Sequence, residues 1–274
     1  DSYAVWPQGD IAYTVSHKHY CGNLGGFPQR QPFTYYHSTV VTKAATGTAT
    51  REQWGYTNFQ GLPVPTMLNW YPTWGIGTYT GQSQAAWAVT ATDSYVVIGG
   101  EFPTVNGTPQ QGLVRFAIPS IAPNRSGPVV SGAPFDMTGS SPSAGVVRLQ
   151  WTANHDRDNR DLTYELTRNG SATPPIHRVT QRSTFYDRPP MGYFDTGLPP
   201  GSTQRYRLRA VDPWGNLAWT DSIDVTVSGT PPVSSRYADA VLADDPQWYW
   251  RLGETSGNRA FDRADFNDMT VTGG

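Results

Sequence analysis

Three groups of side chains in this sequence have the types and spacing that chemistry needs. His17, His19 and Cys21 alternate along the run that begins at Asp10. On a strand, a spacing of two puts all three on one face. Imidazole and thiolate are ligands for zinc or copper, so the trio is a candidate transition-metal site. The competing reading is a strand that lines its own fold, with Cys21 buried or disulfide-bonded. A second group is acidic. Asp156, Asp158 and Asp161 crowd the stretch from His155 to Asp161, and Asp212 and Asn216 lie near the end of the same segment. Oxygen donors of this kind suit calcium, which takes six to eight of them. The alternative is a solvated turn in which Arg157 and Arg160 neutralise the carboxylates. The third group is aromatic. Trp54, Trp70 and Trp74, with Tyr56, Phe59 and Tyr71, occupy a Gly-, Pro- and Thr-rich stretch. They form either a sugar-stacking platform or the core of a long loop.

Catalytic signals are sparse. The sequence has no Gly-x-Ser-x-Gly, no phosphate-binding Gly loop and no His-Glu-x-x-His. Glutamate occurs only at 52, 101, 165 and 254, and no glycosidase pair can be assigned among them. The expectation is a protein that is not an enzyme, with no cofactor or with calcium alone.

The elements that position these residues are strands. Gly (28) and Pro (23) punctuate the chain so often that no long helical apolar period survives. Ten Trp, 15 Tyr and 10 Phe supply ample material for buried cores. Net charge is −2, with two lysines against eighteen arginines, so composition implies no nucleic-acid partner. No run of 18 apolar residues exists, which predicts no membrane span. Cys21 is the only cysteine. The chain opens at Asp1 without Met, and its first and last modules look incomplete. The expectation is therefore a fragment whose partners include the remainder of the same polypeptide.

Residues 1–126 contain a repeated unit. Ile11–Val15, Gly25-Gly-Phe-Pro28 and Thr39–Thr42 match Tyr95–Ile98, Gly99-Gly-Glu-Phe-Pro103 and Leu113–Ala117. Strand, Gly pair, turn and strand in repetition mark propeller blades. The second copy, with Val105-Asn-Gly107, resembles the repeats of delta-60-like bacterial propellers. Residues 127–230 alternate apolar and polar at 147–152, 162–167, 205–211 and 223–227, the pattern of half-buried antiparallel strands in a sandwich. The phrases Val146–Asp156, Leu162–Gly170 and Leu198–Asp212 resemble a fibronectin type III domain. In that resemblance a tyrosine is expected where Gln204 stands, with Tyr206 taking the next inward site. Trp151 and Tyr206 are expected in the core on facing strands. Residues 231–274 resemble the start of a concanavalin-like LamG domain, on Tyr249–Glu254 and Asp262. Forty residues are too few for such a sandwich, so order there requires packing against the neighbouring module or another chain.

The expected fold class is all-β: propeller-type blades, a fibronectin type III sandwich, and the first strands of a LamG-like sandwich. The order of modules resembles secreted actinobacterial or phage-type multi-module proteins. What that resemblance implies is a non-catalytic extracellular or cell-surface module directed at glycans or cell surfaces. The alternatives are a structural part of a phage tail or surface filament, placed on a virion and packed against neighbouring subunits, and the accessory end of a secreted carbohydrate-active enzyme.

Overall fold

The computed structural model describes residues 2–122, 125–170, 174–231, 235–254 and 258–272. The chain is all-β and falls into two compact units. One comprises residues 1–126 with 157–160, the other residues 127–156 with 161–274.

The first unit holds two three-stranded antiparallel meanders. One runs β1 (Ser2–Gln8), β2 (Ile11–Lys18) and β3 (Tyr36–Thr42). The other runs β4 (Ala86–Ala91), β5 (Tyr95–Gly100) and β6 (Leu113–Ala117). In both, the middle strand is rich in β-branched and aromatic residues, which suit a pleated, half-buried surface. The repeat read from the sequence corresponds to β2 with β3 and β5 with β6. The leading strands β1 and β4 carry no Gly pair to announce them. Both Phe-Pro phenylalanines, Phe27 and Phe102, are buried. The two Gly pairs differ in their work. Gly100 packs so close to Ala85 that a Cβ would lie 1.9 Å from its carbonyl oxygen. Gly25, at φ +69°, closes a one-turn 3-10 helix, Gly22–Leu24. Asn106 and Gly107 both take positive φ and turn a short hairpin between 104–105 and 108–109, as Asn-Gly hairpins do. Val15 from the first meander joins Val96, Ile98 and Phe102 in one core.

The second unit is a sandwich. One sheet is β7 (Met137–Ser143), β8 (Val146–Thr152) and β11 (Pro190–Thr196). The other orders β10 (His177–Arg182), β9 (Asp161–Arg168), β12 (Thr203–Val211) and β13 (Leu217–Trp219), with β14 (Ile223–Thr226) also on β12. Inward residues alternate with outward ones. Leu149 and Trp151 of β8 meet Leu162, Tyr164, Leu166, Tyr206 and Leu208 of the opposing sheet in a single core. Trp151 and Tyr206 are buried on opposite sheets.

After α1 (Arg236–Ala243), capped by the Ser235 hydroxyl accepting from Ala238 N, residues 258–270 return to the outward side of β8. Arg148 and Gln150 point away from the core there, yet Arg148 is buried. Its guanidinium pairs with Asp268 at 2.7 Å and lies 4.9 Å from the Phe266 ring centre. Gln150 Nε2 donates to Phe266 O at 2.7 Å. The Phe266 ring rests on Gly192, where any Cβ would lie 2.1 Å from it.

Candidate binding surface

The residues with the expected chemistry are placed unevenly. β2 ends at Lys18, so His17 lies on the strand, His19 beyond it, and Cys21 at the start of the one-turn helix. A strand face common to the three does not exist. The strand breaks because the Cys21 carbonyl turns to accept from Leu24 N and Gly26 N. Cys21 is a free, buried thiol, and burial pushes its pKa up to about 11. That favours the inert, protonated form.

The acidic residues are engaged separately. Asp212 caps its own turn, with Oδ1 accepting from Trp214 N and Asn216 N and Oδ2 from Asn216 Nδ2. Asp161 pairs with Arg182 at 3.0 Å across β9 and β10. Asp156 is buried, and Asp158 accepts from Asn159 Nδ2 at 2.8 Å. Arg160 donates to Met67 O at 2.9 Å, and Arg157 Nε to Thr73 Oγ1 at 3.3 Å. Among the described residues, no three His, Cys, Asp or Glu side chains gather into a metal-binding group.

The tryptophans divide. Trp70 packs edge-on to Phe116 and Tyr13, and Trp74 to Phe102 with its indole N–H on Ser38 Oγ at 3.0 Å. Both support the first unit's core. Trp54 alone of the three is exposed, at 45%. It belongs to a larger group of outward rings: Phe33, Tyr35, Tyr56 and Phe59 are 40–49% exposed. Sequence reasoning missed Phe33 and Tyr35, because they sit in a Pro-rich loop without a periodic signal.

Phe33, Tyr35 and Tyr56 are connected in the first unit through the rings of His17, His19 and Tyr20. His19 stacks on Phe33 at 4.5 Å between centres, with planes 13° apart. Tyr35 lies 4.0 Å from His17 and meets His19 edge-on at 5.9 Å. Tyr56 stacks with Tyr20 at 6.0 Å and stands 6.2 Å from His19. Polar contacts fix the loops. Glu52 turns its carboxylate inward to accept from Trp54 N, Gly55 N and Tyr56 N at 2.6–2.8 Å. Gly55, at φ +89°, permits that turn. The Tyr56 hydroxyl donates to Gln29 Oε1 at 2.9 Å. Burial lowers the pKa of His17, and buried His37 behind it is pushed down to about 4, by burial first and then by His17. With the oxygens of Glu52 taken up by backbone N–H groups, the ring surface presents aromatic faces with amides and imidazoles around them. Such a surface can stack on a flat partner and hydrogen-bond its rim.

No family model matches the chain, and no curated protein matches it. Among solved structures, the chain shows a likeness to astrotactin-2, described as a conserved vertebrate-specific and perforin-like membrane protein involved in neuronal development. That likeness covers 47% of this chain and 26% of the other, at 14% identity and a TM-score of 0.25. It carries no argument about fold or function. No helix among the described residues is long and apolar enough to cross a membrane.

Proposed function

We propose that this chain is a non-catalytic extracellular binding and display protein, directed at neutral glycans through the aromatic surface of its first unit. The observation that carries the reading is the group of exposed rings Phe33, Tyr35, Trp54, Tyr56 and Phe59, held outward by loops tied down at Glu52 and Gln29. Exposed aromatic patches of this kind mark interaction sites. A pyranose offers a C–H face to a ring and hydroxyls to the surrounding amides and imidazoles. Little ordering entropy is lost, because the rings are already fixed.

The glutamates support a role without catalysis. Glu52 is bound to backbone N–H groups, and Glu165 to Arg178 and Arg209. Glu254 accepts from Phe261 N. Glu101 accepts from Thr80 N, Thr80 Oγ1 and Gln84 N, and the Thr80 N–H first of all holds its carboxyl below the usual range. A carboxylate kept ionised by fixed donors makes a poor general acid.

The test is a screen of neutral oligosaccharides followed by tryptophan fluorescence. Binding should perturb Trp54 emission, and the perturbation should vanish in Tyr35→Ala/Tyr56→Ala, which keeps Trp54 as the reporter, with the fold intact. Turnover of any oligosaccharide abolished by one of the four glutamate substitutions would overturn the reading.

A further inference from the structure

The outward face of the five-stranded sheet in the second unit is a ladder of arginines. β12 alternates Arg205, Arg207 and Arg209 outward with Gln204, Tyr206, Leu208 and Ala210 inward. β10 presents Arg178 and Arg182 on the same side. The register places Arg178, Glu165, Arg209 and Trp219 in one row across four strands, and Arg182 opposite Asp161. Arg205 stands opposite Asp224. Five guanidinium groups thus face three carboxylates, Asp161, Glu165 and Asp224, which leaves two positive charges on one face of a chain whose net charge is −2.

The pairing is uneven, and that matters more than the total. Glu165 is shared by Arg178 and Arg209. Arg207 donates Nε to Thr220 O at 3.1 Å and stacks 4.5 Å from the Trp219 ring centre. Its terminal nitrogens meet no acceptor among the described residues. Arg209 lies 5.3 Å from the same ring. Trp219 therefore holds two guanidinium planes in place, which lowers the entropy cost of a further bond. Arg178, Arg182 and Arg205 have side chains 64–69% exposed. Beside the row lies an open hollow of about 430 Å³ lined by Thr163, Glu165, Arg178, Arg209, Asp212 and Leu217, the Asp212 carboxylate being taken up by its own turn.

We infer that this face binds a carboxylate-bearing polysaccharide. A guanidinium offers a planar fork that matches a carboxylate in two parallel hydrogen bonds. The carboxylates interleaved with the arginines argue against nucleic acid. Its phosphates, about one per 1.7 Å of duplex, would meet Asp161, Glu165 and Asp224 as well as the arginines. A polymer with one charge per sugar can bridge from guanidinium to guanidinium and leave neutral rings over the threonines Thr163 and Thr180. This surface is separate from the aromatic one, and its test does not depend on that reading.

The experiment is affinity chromatography of the intact chain on immobilised polygalacturonate at low ionic strength, with the fully methyl-esterified polymer as the uncharged control. The chain should be retained by the first, released by rising NaCl, and not held by the second. Arg178→Ser/Arg207→Ser should lower affinity on the order of tenfold. Thr180→Glu adds a carboxylate to the face without removing an arginine, and should weaken retention even if the double variant folds poorly. Arg236→Ser/Arg251→Ser, the same change in charge elsewhere, should leave retention unchanged, as should Tyr35→Ala/Tyr56→Ala. Passage of the unmodified chain straight through the column would overturn the inference. So would equal loss in the Arg236/Arg251 control, or tighter binding to duplex DNA than to polygalacturonate.

Discussion

The Tyr206 hydroxyl donates to Asp195 Oδ2 at 2.8 Å, from one sheet of the sandwich to the other. Arg168 Nη1 reaches both oxygens of the same carboxylate, at 2.9 and 2.8 Å. Tyr206 is fully buried and Asp195 nearly so. A polar tie of this kind is favourable only when complete, because a buried carboxylate that loses a donor keeps its desolvation cost. Tyr206→Phe should therefore destabilise the second unit by about 1.5–3 kcal/mol, the range for a hydrogen bond to a charged group. Urea unfolding measures it. An unchanged midpoint would show that Arg168 alone satisfies Asp195.

His37 makes the first unit sensitive to acid. Its folded pKa of about 4 lies below the ordinary imidazole value of 6.5, chiefly through burial. The unfolded chain then binds more protons than the folded one between those values, so stability is complete above about pH 6.5 and declines as pH falls towards 4. The decline belongs on the order of 3 kcal/mol, from 1.36 kcal/mol per pKa unit. Thermal melts from pH 7 to 4 should show it, and His37→Phe should flatten the slope. An equally steep decline in that variant would assign the acid sensitivity to other groups.

The return of residues 258–270 onto β8 depends on Gly192 and Arg148. Gly192→Ala drives a methyl group into the Phe266 ring. Arg148→Ala leaves Asp268, 2% exposed, with only the half-exposed Arg259 at 3.3 Å as a cationic partner, so the cost falls towards the lower end of the range for a buried pair. Breaking a buried pair from one side costs about 3–5 kcal/mol. Both variants should expose residues 258–270 to limited proteolysis while the sandwich core stays resistant. Cleavage patterns identical to the unmodified chain would show that this segment is held by other contacts.

How much of this was readable in the sequence follows from what each residue reports. The alternation around Trp151, Leu162 and Tyr206 announced the sandwich core, because a period of two is fixed by the pleat. The strand Pro190–Thr196 was silent: it begins with Pro and contains Gly192, whose bareness makes sense only once Phe266 lies on it. Arg148 reads as an outward polar residue and is one. Its burial comes from a segment more than 100 residues away. At Gln204, where the resemblance leads one to expect a tyrosine, the side chain bonds Ser202 and Asn169, and the Tyr206 hydroxyl two residues on reaches Asp195. Trp54, Trp70 and Trp74 look equivalent in sequence. Only packing separates the exposed one from two that carry the core. The arginine ladder was hidden by a near-neutral net charge, since composition does not say which face a charge occupies.

On the function proposed above, the rings around Tyr35 and Tyr56 bind neutral glycan. Affinity electrophoresis through gels containing a neutral polysaccharide identified by the screen measures this directly. The unmodified chain should be retarded in proportion to polymer concentration. Tyr35→Ala/Tyr56→Ala should migrate as in an empty gel, since aromatic anchors lost from a binding surface cost on the order of 2 kcal/mol or more each. Retardation of that variant equal to the unmodified chain would contradict the claim.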